Sequence, residues 1–197
     1  MKTTPDMPSP TRTDRWLADA VAVLPSAIRL FPTIKPPNIV PVGALSLLGG
    51  ARQPLWQALL TPLLVMAVTD YILKITLNYT PFNPYVYASF ALTVLLGRAL
   101  LRGTRSWWRI GSASLAASTL FYLVTNFGVW YAGIGKPGAM YSGTAAGLLT
   151  CYVQGIPFFG LTALGDLGCC FALFAAYDWI TGGALARKPA AVEEAAK

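Results

Sequence analysis

The sequence predicts an all-α integral membrane protein, a bundle of about six transmembrane helices with one further short re-entrant or external helix. Charged residues make up only 12% of the chain, roughly half the share of a typical soluble domain. Four apolar runs of about 18 to 22 residues match the roughly 30 Å hydrocarbon core of a bilayer. An arginine cluster (LRGTRSWWR, 101–109) separates two of these runs and is typical of a cytoplasmic loop.

The four long runs are the clearest elements, and the arginine loop fixes their direction. Residues 110–131 run outward from that loop, and residues 84–101 run inward to it. Alternating crossings then make residues 54–73 run outward and residues 161–183 run inward. Basic residues follow the last run, so both termini are expected in the cytoplasm.

Two N-terminal elements are weaker. Residues 16–31 are predicted to run outward, but Asp19, Pro25 and Arg29 interrupt them, so an interfacial helix is an alternative. Residues 38–51 would return inward and are only 14 in number, which also suits a short buried helix. These boundaries predict a cytoplasmic N-terminal tail at residues 1–14 and a single transmembrane domain at residues 15–183. A disordered cytoplasmic tail is predicted at residues 184–197.

The segment 142–159 (SGTAAGLLTCYVQGIPFF) is predicted to be a short or re-entrant helix. Gly155 and Pro157 interrupt it, and counting it as a full crossing would place the basic C-terminal tail outside. Irregular backbone at membrane depth is tolerated only against protein or a watery cavity. We therefore expect this segment to help wall a cavity.

Several function classes are disfavoured. The formal charge of +7 is spread over segments that flank apolar runs. Basic residues in this pattern are expected to contact lipid head groups and not nucleic acid. Histidine is absent and the three cysteines lack metal-ligand spacing, so we expect neither a metal nor another cofactor, and we interpret the cysteines as packing residues. No hydrolase, metalloprotease or nucleotide-binding motif is present, and we expect no enzyme activity.

Polar side chains within the predicted spans gather near the outer face. Such residues are costly in a membrane and are often functional. At about 1.5 Å per residue, Asp70, Asn126 and Asp166 are expected within about 5–8 Å of the outer boundary. Asn38 and Gln154 belong to the same predicted layer.

One helix face combines this polarity with aromatic rings. Thr119, Tyr122, Asn126 and Trp130 are spaced three, four and four residues apart and so share a face. An amide between aromatic rings suits a small ring-bearing ligand through stacking and hydrogen bonds. The alternative is a contact between helices, with Asn126 as an interhelical hydrogen-bonding group and Trp130 in the interfacial belt.

The two acidic residues also have two interpretations. Asp70 could pair with Lys74 four residues later, and Asp166, in the first turn of a helix starting near residue 161, would be favoured by the helix dipole. Otherwise two acids with no obvious basic partner in one external layer suit a cationic or amine-bearing ligand. Ala18 and Ala22 are spaced for close helix packing, which is their default explanation.

Ordered motifs along the chain point to a family. PPNIVPVGALSLLGGA (36–51), DYIL (70–73), TNFGVW (125–130), GLLTCYVQGIPFF (147–159) and GDL (165–167) resemble an uncharacterised family of small bacterial membrane proteins. This resemblance implies that the protein lies in the inner membrane of a bacterial cell. The proteins of this family in turn look like the substrate-binding S components of energy-coupling-factor (ECF) vitamin transporters.

The resemblance implies a mechanism. An S component binds a micronutrient in an outward-facing pocket, topples in the membrane, and releases the micronutrient when ATPases act through a transmembrane coupling subunit. A small-residue motif on the first helix contacts that subunit, which implies a partner contact at Ala18 and Ala22. We therefore expect a binding protein for a vitamin or cofactor precursor, with the candidate ligand contacts Asn126, Trp130, Tyr122, Asp166, Asp70, Gln154 and Asn38. The alternative is an accessory or scaffold subunit of a larger membrane complex.

Overall fold

The computed structural model describes residues 12–31, 41–78 and 82–186, and every regular element in these ranges is helical. The first helix continues directly into a 3₁₀ helix, Leu24–Leu30. The α-helices are α1 (Arg12–Val23), α2 (Val42–Arg52), α3 (Leu55–Leu77), α4 (Pro84–Leu101), α5 (Trp107–Gly133) and α6 (Ala145–Ala186). Helical structure thus extends three residues into each of the predicted tails.

Four of the helices are long and apolar enough to cross a bilayer: α3, α4, α5 and the Ala145–Thr181 part of α6. They cover the four long runs of the sequence to within about two residues, so the prediction of a membrane-embedded helical bundle is confirmed. The 11-residue α2 is too short to span and is buried along almost its whole length. It matches the short buried helix that was the alternative for this segment.

The last helix differs from the prediction. Residues 145–186 form one continuous helix of 42 residues with Pro157 inside it, so the expected separate re-entrant helix is wrong. At 1.5 Å per residue the helix is about 63 Å long, roughly twice the hydrocarbon thickness. Side-chain contacts with α5 run from the Trp107–Phe171 ring pair to the hydrogen bond from Cys151 Sγ to the Asn126 carbonyl. This support explains why the helix passes its glycines and proline unbroken.

The short α2 packs against α4 with almost no space between the two backbones. A Cβ atom added at Gly50 would overlap the Val94 carbonyl oxygen, and one added at Gly97 would overlap the Leu47 carbonyl oxygen. Both glycines therefore serve close helix approach, as small residues do in membrane interfaces. The two helices are parallel, because Val42 packs with Phe90 while Arg52 donates to the Leu101 carbonyl.

The N-terminal segment packs against α6 through α1 and against α3 through the 3₁₀ helix. Near its start, Asp19 accepts hydrogen bonds from the side chains of Gln53 and Gln57; near its end, Arg29 contacts Asp70. Gln57 and Asp70 are about 20 Å apart along α3. The segment therefore extends along the bundle from the level of Gln57 to that of Asp70, which argues against a helix lying flat at one end of the bundle.

One end of the bundle carries most of the described basic side chains, and we call it the arginine-rich end. Asp178 Oδ1 lies 3.7 Å from Arg52 Nη2 and 3.7 Å from Arg105 Nε. Arg52 also donates to the carbonyls of Leu101 and Thr104, so it ties α2 to the α4–α5 loop. The arginines at this end are Arg52, Arg98, Arg102, Arg105 and Arg109.

Candidate functional site

A cleft with a cavity volume of about 130 Å³ lies inside the bundle between α2, α3, α4, α5 and α6; we call it the deep cleft. Apolar side chains form most of its wall, and two charged side chains reach it from opposite ends of the sequence, Arg29 and Asp166. Its lining residues are Arg29, Gly43, Met66, Val86, Phe90, Thr93, Ala117, Phe121, Thr162 and Asp166.

Asp166 lies near the middle of the bundle and not near its outer face. Because α6 begins at Ala145, Asp166 is not in a first helical turn, and both the predicted depth and the helix-dipole explanation are wrong. It lies about 18 Å along the helix from Asp178 at the arginine-rich end. Ser118 Oγ donates to its Oδ2 at 2.8 Å and is its only hydrogen-bond partner among the described residues.

Asp70 has a different environment. Arg29 Nη2 donates to its Oδ1 at 2.6 Å, Tyr87 Oη donates to its Oδ2 at 2.8 Å, and Arg29 also donates to Thr69. The side chains of the ion pair are 12% and 6% exposed. The expectation that Asp70 has no basic partner except Lys74 is therefore wrong. Its carboxylate is neutralised by the 3₁₀ helix, which leaves it poorly placed to bind a ligand.

A second cleft, with a cavity volume of about 210 Å³, adjoins the first on the side away from the arginine-rich end; we call it the distal cleft. The two clefts share Phe121 and Thr162 in their walls. The distal cleft is lined by Ser118, Phe121, Tyr122, Thr125, Asn126, Gly155, Phe158, Phe159 and Thr162.

Tyr122 and Asn126 lie in this wall together, as their spacing predicts. The Tyr122 ring packs 5.1 Å from that of Phe159, and its hydroxyl donates to the Tyr152 carbonyl. Asn126 Nδ2 donates to the Tyr122 carbonyl at 2.8 Å. A Cβ atom at Gly155 would lie 2.7 Å from Asn126 Oδ1, so the glycine makes the room that the amide occupies.

The other predicted contacts are placed elsewhere. Trp130 donates from its indole nitrogen to the Ser142 carbonyl at 2.9 Å, and Gln154 accepts from the Tyr141 hydroxyl at 3.1 Å. Both lie beyond the distal cleft towards the α5–α6 loop and outside the walls of both clefts. Thr119 is exposed, and Asn38 lies outside the described residues.

The two predicted partner-contact residues, Ala18 and Ala22, are buried inside the bundle. Ala18 and Ala22 are 1% and 2% exposed and pack in the core formed with α2, α5 and α6. This placement agrees with their default explanation as packing residues. A partner could reach them only if α1 moved.

Several cleft residues were not singled out from the sequence. Phe121, Thr162 and Gly43 face the cleft only because of how the helices pack. Gly43 lies within the motif at residues 36–51, but that motif does not mark it as a cleft residue. A Cβ atom at Gly43 would lie 2.9 Å from Asp166 Oδ1. Among the described residues no group of three or more His, Cys, Asp or Glu side chains could hold a metal ion, and Cys151, Cys169 and Cys170 are free thiols.

The fold and the site together define a membrane-embedded helical protein with an internal cleft. The chain belongs to a family of unknown function, DUF6580, whose profile matches residues 10–190. No curated protein and no solved structure matches it.

Proposed function

We propose that this protein binds a small vitamin-like or cofactor-precursor molecule and takes part in its uptake, in the manner of an ECF S component. One observation carries the proposal: the deep and distal clefts lie side by side with Phe121 and Thr162 in both walls, and their remaining walls include Asp166 in the one and Tyr122 and Asn126 in the other. Aromatic walls with a few polar groups are typical of small-molecule sites.

The proposed orientation places the arginine-rich end in the cytoplasm. Arginine and lysine are enriched in cytoplasmic loops, and five arginines gather at this end of the described chain. Both termini would then be cytoplasmic, and the distal cleft would face the outside of a bacterial inner membrane. A ligand would enter through the distal cleft and move inward towards Asp166.

The cleft residues suit binding more than catalysis. The rings of Phe121, Tyr122 and Phe159 offer stacking surfaces, and Asn126 and Thr162 offer hydrogen-bonding groups. The sequence contains no nucleotide-binding motif, so active uptake would need ATPases and a coupling subunit as partners. Because Ala18 and Ala22 are buried, such a subunit would contact another surface or displace α1.

Native mass spectrometry of the protein released from mild detergent tests the proposal. We expect a stoichiometric small molecule on the wild-type protein and its loss from the Asn126→Leu variant, because leucine keeps the volume but not the amide. Thr119→Leu is the matched control: it makes a similar change on the same helix at an exposed position outside the clefts, and it should keep the molecule. A wild-type protein without any bound molecule, even after incubation with cell extract, contradicts the proposal.

The accessory-subunit alternative rests on the length of α6. A helix of about 63 Å cannot be covered by a 30 Å hydrocarbon layer alone, and Leu149, Val153 and Ile156 are exposed in its first part. A protein partner could cover this apolar surface. The same native mass spectra decide: stable membrane subunits without a ligand favour the accessory role.

A further inference from the structure

The charges around the deep cleft do not balance within the described residues. Arg29 and Asp70 form a close ion pair to which Tyr87 adds a hydrogen bond. Asp166 is the remaining charged group in the wall, and none of the ion pairs among the described residues includes it. One carboxylate therefore faces a membrane-depth cleft with only the Ser118 hydroxyl as a partner.

A lone carboxylate at this depth is costly unless something compensates it. A natural compensation is a cation that arrives with the ligand. A close opposite charge strengthens a hydrogen bond considerably, and its effect is larger in a cleft of low polarity than in water.

The surroundings favour an organic cation over a metal ion. Hard metal ions need several oxygen ligands at once, whereas the described residues supply one carboxylate here and no metal-binding group of three. The deep cleft has a cavity volume of about 130 Å³, close to the roughly 150 Å³ of an engineered cavity that binds benzene, so it suits a molecule with a single ring. Phe90 and Phe121, with ring centroids 5.4 Å apart, both line the cleft, and aromatic faces attract organic cations.

We infer that the ligand carries a cationic nitrogen group, an ammonium or amidinium, which pairs with Asp166 while an attached ring lies against Phe90 and Phe121. This inference rests on the proposed function and names the chemical class of its ligand. Thr162, shared by both clefts, lies where the uncharged remainder of the ligand would extend towards Tyr122 and Asn126.

Two probes of nearly equal shape test the inference. Benzamidinium is a planar cation attached to a ring, and benzamide is its neutral counterpart. Their dissociation constants would be measured by isothermal titration calorimetry on the full chain in lipid nanodiscs. We expect benzamidinium to bind at least about tenfold more tightly than benzamide, because a hydrogen bond to a charged group contributes about that much to affinity.

Two variants separate the charge from the rest of the site. Asp166→Asn keeps the shape and removes the charge, and it should bring the two dissociation constants to within about twofold. Ser118→Ala removes the hydrogen bond to Asp166 but keeps the charge, so the preference for benzamidinium should remain. Far-ultraviolet circular dichroism and the melting temperature establish that each variant is folded.

Three results would overturn the inference: no binding of either probe, equal binding of both to the wild-type protein, or a preference that survives Asp166→Asn. The proposed function is judged separately by the molecule that Asn126→Leu loses. If that molecule is neutral or anionic and stays bound to Asp166→Asn, the cation inference fails and the binding function stands. If no molecule is found and neither probe binds, both fail.

Discussion

Two carboxylates lie deep in this bundle, and their surroundings are opposite. Asp70 is enclosed by a guanidinium at 2.6 Å and a phenol at 2.8 Å, supplied by two other elements. Asp166 has one hydroxyl partner and an open cleft beside it. The contrast teaches how to separate structural from functional acids in a membrane: a fully partnered acid holds elements together, whereas a poorly partnered acid beside a cleft is the better candidate for binding.

The largest loss of stability is expected when Asp70 loses its ion-pair partner. Arg29→Met keeps much of the side-chain volume but leaves Asp70 without its cation. Breaking a buried ion pair by removing one partner typically costs about 3–5 kcal/mol, and we expect a loss near the lower value because Tyr87 still donates to Asp70. The measurement is the free energy of unfolding from a denaturant titration in mixed micelles.

Asp166→Asn is the matched control for this loss, because no ion pair among the described residues is broken. Its free energy of unfolding should change by less than about 1 kcal/mol. The double variant Arg29→Met/Asp70→Asn should recover part of the loss, since it leaves no uncompensated charge. Equal losses for Arg29→Met and Asp166→Asn would show that the two carboxylates do not differ as described.

A smaller loss of stability is expected where glycine lets α2 approach α4 closely. In Gly50→Ala the new methyl group would overlap the Val94 carbonyl oxygen, and backbone atoms cannot move aside as a side chain can. Overpacking of this kind costs about 1–3 kcal/mol, so the melting temperature in detergent should fall clearly.

Gly168→Ala on α6 is the control for Gly50→Ala, because a Cβ atom at position 168 meets nothing within 4 Å. It should leave the melting temperature unchanged or raise it slightly, since alanine favours a helix over glycine by up to about 1 kcal/mol. Equal melting temperatures for Gly50→Ala and Gly168→Ala would contradict the close approach of α2 and α4.

The sequence was informative where a feature is local. The long apolar runs predict α3, α4 and α5 because span length follows from composition, and the four-residue spacing of Tyr122 and Asn126 predicts their common wall because both lie on one helix. The helix α6 was misjudged because the effect of Gly155 and Pro157 depends on packing against α5. The partner of Asp70 was missed because Arg29 is 41 residues away, on an element whose position is set by tertiary contacts.

The smallest effect on stability, and the most specific for the cleft, is expected from Gly43→Ala. A Cβ atom there would lie 2.9 Å from Asp166 Oδ1 and 3.3 Å from its Cγ, so the carboxylate must shift. Because a side chain moves more easily than the backbone that Gly50 faces, the free energy of unfolding should change by less than about 1 kcal/mol.

Affinity for benzamidinium should nevertheless fall several-fold in Gly43→Ala, because the displaced carboxylate no longer meets the cation in the same geometry. The calorimetric assay in nanodiscs measures this directly, and the double variant Gly43→Ala/Asp166→Asn provides the control. If Gly43 acts only through Asp166, the double variant binds no more weakly than Asp166→Asn alone. Additive losses would mean that the methyl group at position 43 hinders the ligand directly and not through Asp166.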